Sequence, residues 1–287
     1  MKITVADYSG FCFGVERAID VVEKEVAQGV VYTVGPVIHN PSVVENFRNR
    51  GVKVVDSVHE VPEGATVVIR SHGMAPQELE ALRGRGARIV DATCPLVNRA
   101  QQRAAELDKE GYRVIIIGDR LHPEVVALKG CAPGAIVVES PSEVPEDLGG
   151  KRVGVVAQTT RSTPDFAAVV GALAAHGPME LRAYCTICSA TVQRQTAVRK
   201  LAGKVDVMFV LGGRNSANTS RLAEIARQMG TRTHHLESAE ELQAEMVRGA
   251  QHVGVAGGAS TPNWIVKSFV EALERLHVQD EGGPGNR

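Results

Sequence analysis

The stretch 88–100, "RIVDATCPLVNRA", runs a β-branched strand pattern into Cys94 and then into an amphipathic helix pattern. Two other segments do the same. In "SGFCFGVERAI" Cys12 is followed five residues later by Arg17, in the quoted stretch Arg99 follows Cys94 by five, and in "CTICSATVQRQ" Arg194 follows Cys188 by six. Each cysteine lies after a strand and opens a helix.

A second marker keeps step with the first. "VGPVIHNPSVV" carries Gly35 and His39, "IGDRLHPEVVA" carries Gly118 and His122, and "LGGRNSANTSRL" carries Gly212 and Ser216, each time strand, glycine, then a polar residue four later. The cysteine intervals are 82 and 94 residues and the glycine intervals 83 and 94, so two independent markers share one register. The chain reads as a triplicated unit. The extra residues of the second unit fit its Pro-rich loop, "ESPSEVPEDLGG", where insertions are tolerated. A looser third marker ends later strands: "RSHG" (70–73), "AQTT" (157–160) and "GGAST" (257–261).

Twelve short β-branched runs, from "KITVA" (2–6) to "HVGVAGG" (252–258), alternate with helical patterns, which predicts an α/β fold with mostly parallel sheets. Four runs follow Cys12 and four follow Cys94, but only three follow Cys188; "KITVA", which leads into Cys12, is the missing one. The expected architecture is three pseudo-equivalent four-stranded α/β units, 12–95, 96–187 and 188–275, with the N-terminal strand in 1–11 completing the third sheet. Residues 276–287 are polar and Gly/Pro-rich and are expected to form a disordered tail.

Composition narrows the function. Lys plus Arg (32) balance Asp plus Glu (33), which argues against nucleic-acid and membrane-surface partners and for a small, locally recognised ligand. The longest apolar run, "FAAVVGALAA" (166–175), is well short of the ~20 residues of a membrane span. With no secretory pattern in "MKITVADYSG", a cytoplasmic protein is expected. Five cysteines is an odd number that argues for reduced thiols.

In parallel α/β units the working loops lie beyond the carboxyl ends of the strands. Three units about a pseudo-threefold axis are expected to point Cys12, Cys94 and Cys188 at one centre, with the helix N-termini behind them favouring thiolates. Three thiolates suit zinc with one water, or an iron–sulfur cluster with one iron lacking a cysteine. The neighbouring residues favour a redox site. Cys131 and Cys185 match no repeat and are expected to be buried small residues. His39, His72, His122, Ser216, Asn218 and Ser260, with Thr159 and Thr160, supply many hydrogen-bond donors and hardly any fixed positive charge, a set suited to a phosphate or diphosphate. Glu124, beside His122 and near Thr159, is the expected proton relay. No P-loop is present, and "GRGARI" (84–89) precedes a strand where a dinucleotide loop follows one.

"GFCFGVERAI", "VIHNPSVV", "RSHG", "DATCPLV", "LHPEV", "AQTTRS", "TICSATVQRQ", "GGRNSANTSRL" and "GGASTPNWIV" resemble, in order and over residues 2–270, the successive blocks of the LytB family. Its members are 4-hydroxy-3-methylbut-2-enyl diphosphate reductases, the last enzymes of the non-mevalonate isoprenoid pathway. The resemblance implies an oxygen-sensitive [4Fe–4S] cluster on Cys12, Cys94 and Cys188, with one iron not ligated by cysteine. It implies diphosphate binding by His39, His72, His122, Ser216, Asn218 and Ser260, and proton delivery to the substrate hydroxyl by Glu124 with Thr159. Electrons are expected from a separate ferredoxin or flavodoxin. The family usually reads N-S-S-N where this chain has Ala217 in "NSAN", so one hydroxyl donor is expected to be missing, with Thr219 a neighbouring substitute. The rival readings are a zinc-dependent hydrolase with Glu124 as base and a non-catalytic iron–sulfur sensor.

Overall fold

The computed structural model describes residues 1–148 and 150–281, the side chains of 277–281 excepted. All twelve expected strands are present. In chain order the elements are β1 (Lys2–Val5), α1 (Phe13–Val26), β2 (Val31–Val34), α2 (Pro41–Asn49), β3 (Val52–Val55), β4 (Thr66–Ile69), α3 (Pro76–Gly84) and β5 (Arg88–Asp91). Then come α4 (Pro95–Lys109), β6 (Arg113–Ile117), α5 (Pro123–Cys131), β7 (Ile136–Val138), β8 (Arg152–Ala157), α6 (Thr163–Ala175) and β9 (Glu180–Ala183). The last are α7 (Ser189–Ala202), β10 (Val207–Leu211), α8 (Ala217–Gln228), β11 (Arg232–Leu236), β12 (His252–Gly257) and α9 (Asn263–Glu281).

The strands form three four-stranded sheets, ordered β3-β2-β4-β5, β7-β6-β8-β9 and β11-β10-β12-β1. Every pairing is parallel. The order is the same each time, with β1 in the third sheet where β5 and β9 stand in the others. Central strands such as β10 and β6 are buried almost throughout, whereas β1, β5 and β9 at the edges are not, which is why the central runs read as continuous Val/Ile/Leu.

The chain divides into two compact units, Met1–Cys12 with Ser189 onward, and Phe13–Cys188. The divisions fall at two of the repeated cysteines. The third expected unit stands alone, with its N-terminal strand, whereas the first two lie in one compact body. The apolar face of α4, which follows the first sheet, joins the second sheet's core: Ala100, Ala104 and Leu107 pack with Val114, Ile116 and Val156. α3 also meets α5, where Gln77 Nε2 donates to the Gly130 carbonyl at 3.3 Å. In the smaller unit the corresponding face of α7, Val198, Leu201 and Ala202, packs with Met208, Val210 and α8. Each fully buried Val, Leu, Ile or Met among these contributes ~1.5–3 kcal/mol.

One expectation at the C-terminus is corrected. α9 continues to Glu281, so 276–281 is helical rather than the start of a disordered tail. The first strong helix breakers in the sequence are Gly282, Gly283 and Pro284; residues 282–287 lie outside the described residues.

Candidate active site

The three repeated cysteines occupy one structural position, repeated in each sheet. Each directly precedes a helix: α1 starts at Phe13, α4 at Pro95 with Cys94 as its N-cap, and α7 at Ser189. Each cysteine N–H is held by the carbonyl two residues past its sheet's third strand: Cys94 by Ser71 at 3.0 Å, Cys188 by Thr159 at 3.1 Å, and Cys12 by Ala259 at 3.0 Å. The turns carrying those carbonyls match as well. Gly73 N–H donates to Arg70 O, Arg161 N–H to Gln158 O, and Thr261 N–H to Gly258 O, at 3.0, 3.1 and 3.0 Å. All three cysteines are half-buried. Cys94 Sγ packs against Gly14 on α1, where a Cβ would stand 2.5 Å from the sulfur, so only glycine leaves the thiol its place.

Cys131 packs at the edge of the second core, and burial pushes its thiol pKa up. Cys185 is exposed, contrary to the expected burial. It lies between β9 and α7, in a loop held by Thr186 Oγ1, which accepts from Ala157 N–H at 2.8 Å, and the Cys185 side chain is not part of that anchor.

The structure brings His39, His72 and His122 together. Their ring centroids are 4.4 Å apart for His39–His72 and 5.4 Å for each pair with His122. Burial, then the positive charge of Arg70, holds His39 down to about 4. Burial and the neighbouring His39 hold His122 at about 4 as well, and His72 well below its usual value. The three rings are therefore neutral at pH 7. His122 Nδ1 accepts the Glu124 N–H at 3.2 Å, capping α5, so the proton of its neutral ring sits on Nε2. That leaves the Nε2–H as a hydrogen-bond donor, which suits an anion.

One register differs from expectation. The residues equivalent at the helix caps are Asn40, His122 and Ser216, whose side chains accept from Val43, Glu124 and Thr219 N–H. His39 falls one residue before its cap, because the first unit's loop after the glycine is one residue longer. The site also holds a fixed positive charge that sequence reasoning missed, Arg70. Its guanidinium lies on Gly35, where a Cβ would be 2.4 Å from Nη1, and its buried Nε has no partner. β2 and β4 pair only over Val31↔Thr66 and Tyr32↔Val67, so the sheet has no further rungs at the end where Arg70 sits. The available signal was its place in "RSHG", equivalent to Gln158 in "AQTT". Gln158, also missed, accepts from Asp119 N–H at 2.9 Å and donates to Thr160 Oγ1 at 2.7 Å.

Glu124 and Thr159 meet as expected. Glu124 Oε1 accepts from Thr159 N–H at 2.6 Å and Oε2 from Thr159 Oγ1 at 2.8 Å, with Glu124 1% exposed. Burial raises its pKa to about 7 against the lowering effect of both Thr159 hydrogen bonds. A carboxyl poised there can donate a proton at neutral pH.

In the smaller unit Ser216, Asn218 and Ser260 are all buried beyond the strand ends. Asn218 stands two residues past its cap, as Glu124 does, and neither of its amide atoms has a partner. Such an orphaned amide is costly unless a ligand completes it. Thr219 does not stand in for the missing serine: its hydroxyl is buried and donates to Ser216 Oγ at 3.0 Å. Among the described residues no helix is long and apolar enough to cross a membrane.

Three equivalent parallel sheets, each presenting a cysteine at a helix N-terminus, with a neutral histidine cluster and a buried acid, define an α/β enzyme of triplicated design. The chain belongs to the LytB family, whose model matches residues 3–274. A 4-hydroxy-3-methylbut-2-enyl diphosphate reductase of Aquifex aeolicus (strain VF5) is 44% identical over 282 residues, covering 96% of this chain and 97% of that one. One from Anaeromyxobacter sp. (strain Fw109-5) is 46% identical over 279 residues, covering 96% and 98%. Among solved structures, an (E)-4-hydroxy-3-methyl-but-2-enyl diphosphate reductase described as the terminal enzyme of the non-mevalonate pathway is 44% identical, with a TM-score of 0.69 over 96% of this chain and 99% of that one. The E-1-hydroxy-2-methyl-but-2-enyl-4-diphosphate reductase from Plasmodium falciparum is 28% identical, with a TM-score of 0.88 over 95% and 87%.

Proposed function

We propose that this chain is a cytoplasmic iron–sulfur reductase that removes the hydroxyl of (E)-4-hydroxy-3-methylbut-2-enyl diphosphate to give isopentenyl and dimethylallyl diphosphate. The observation that carries the cofactor part is the threefold repetition of a cysteine on one hydrogen-bonded backbone position. The donor set fits: three soft thiols at helix N-termini, with Gly14 leaving room for Cys94 Sγ. Cys12, Cys94 and Cys188 would hold a [4Fe–4S] cluster, which would supply electrons one at a time and a Lewis-acidic iron not ligated by cysteine.

The chain's own residues do the rest. His39, His72, His122, Ser216, Asn218 and Ser260 bind the diphosphate; the His122 Nε2–H and the unpaired Asn218 amide support that role. Arg70 adds charge behind the histidines. Glu124, about half protonated at pH 7 for a pKa of about 7, gives its proton to the departing oxygen, and Thr159 holds the carboxyl in line. The substrate's own diphosphate takes part in the second protonation, and a ferredoxin or flavodoxin brings the electrons.

The test is anaerobic purification followed by metal analysis and turnover. Brown protein containing iron and sulfide, active with dithionite and a viologen but not with NADPH alone, is the expected result. Cys94→Ser should lose most of the iron and sulfide while Cys131→Ser and Cys185→Ser keep them. Colourless zinc protein would revive the hydrolase, and brown protein inert toward the allylic diphosphate would make it a sensor.

A further inference from the structure

The sequence repeat contains a feature that the chemistry above leaves unused, the arginine five or six residues after each cysteine. Arg17, on α1 behind Cys12, donates from Nη1 to the Thr93 carbonyl at 3.0 Å and from Nη2 to the Asp91 carbonyl at 3.2 Å. Both carbonyls lie in the segment that ends at Cys94. Arg194, on α7 behind Cys188, is buried and donates from Nη2 to the Gly10 carbonyl at 2.8 Å, two residues before Cys12. Its Nη1 is anchored on its own helix by Ala190 O at 3.2 Å. Arg99, on α4 behind Cys94, is exposed. One turn further along α4, the Arg103 guanidinium lies over the Tyr184 ring, 4.9 Å from its centroid, at the start of the segment leading to Cys188.

Asp91 ends the edge strand β5 and Thr93 lies beyond it, and a guanidinium fork bridges two such carbonyls where a lysine reaches one. The contacts follow one order along the chain. The helix after Cys12 holds the Cys94 segment, the helix after Cys94 touches the Cys188 segment, and the helix after Cys188 holds the Cys12 segment. We infer that Arg17, Arg103 and Arg194 are positioning residues that lock the three cysteine-bearing segments, so that each thiol is held in place by the helix that another cysteine opens. This rests on the reading of Cys12, Cys94 and Cys188 as ligands. Preorganised ligands hold a metal group better than mobile ones, because less order has to be imposed on binding.

The experiment uses the full-length chain purified anaerobically, as wild type, Arg17→Gln, Arg17→Lys and Arg194→Gln. N-ethylmaleimide labelling followed by mass spectrometry gives the reaction rate of each cysteine, before and after iron is stripped with a chelator, and the stripping rate is recorded. Arg17→Gln should raise the labelling rate of Cys94 by about threefold or more in the stripped protein while Cys131 and Cys188, in the same compact unit, stay near wild type. It should also release iron faster, with Arg17→Lys in between. Arg194→Gln should act on Cys12 alone. Unchanged rates, or a uniform rise at all cysteines, would overturn the proposal, since a merely structural arginine loosens the whole unit. Should Arg194→Gln fail to fold, the half-exposed Arg17 decides the matter. If the wild type carries no iron, the ligand reading fails, yet the labelling pattern of the stripped chain still reports on the arginines.

Discussion

Replacing Glu124 by Gln removes the acid while leaving its surroundings almost intact. In the wild type both carboxylate oxygens accept from Thr159, from N–H at 2.6 Å and from the hydroxyl at 2.8 Å. The Gln carbonyl keeps the first bond, and the Thr159 hydroxyl rotates to accept from the new amide, so the structural cost should be ~1 kcal/mol or less. Losing a positioned general acid instead lowers kcat by roughly 10²–10⁴-fold with little change in KM. The pH profile separates the two. With the wild-type pKa raised to about 7 by burial, the acid form dominates below pH 7, and kcat should fall about tenfold per pH unit well above it. The variant should have no such alkaline limb. The assay is steady-state kinetics from pH 6 to 9 on anaerobic protein with equal iron content. A kcat within about threefold of wild type, or a variant that keeps the alkaline limb, refutes the role of Glu124.

The other predictions draw on neighbouring groups. Thr159→Val removes a hydrogen bond that lowers the Glu124 pKa, so the alkaline limb should move to higher pH, read from the same profile. His39 and His122 are depressed to about 4, so their contribution to stability is present above pH 6.5 and lost as pH falls through about 4; urea unfolding at stepwise lower pH should show it. Arg70→Gln removes a charge that lowers all three histidine pKa values, so that acid loss should shrink, and inorganic pyrophosphate should bind more weakly by ~1 kcal/mol, about fivefold, in calorimetry. Ala217→Ser restores a hydroxyl beside the Ser216 cap and should tighten pyrophosphate binding by about the same factor, because the Thr219 hydroxyl is committed to Ser216.

The sequence by itself determined the twelve strands, their grouping in fours, the return of the N-terminal strand to the third sheet, and the common place of Cys12, Cys94 and Cys188. These are written locally, in β-branched runs, glycines and cysteines at fixed offsets, and repetition makes weak local signals agree. Tertiary structure alone decided which helix covers which sheet, and that the first two sheets share one compact body. It decided that Asn40 rather than His39 caps α2, that Thr219 is committed to Ser216, and that Arg70 stands behind three neutral histidines. It also decided that α9 runs on to Glu281. The Glu124–Thr159 pair lies between: the residue types were legible, but the pKa of about 7 exists only because the fold buries that carboxyl and aims two donors at it from 35 positions away. Burial and hydrogen-bond partners are chosen by packing between elements distant in the chain, and no run of neighbouring residues encodes that.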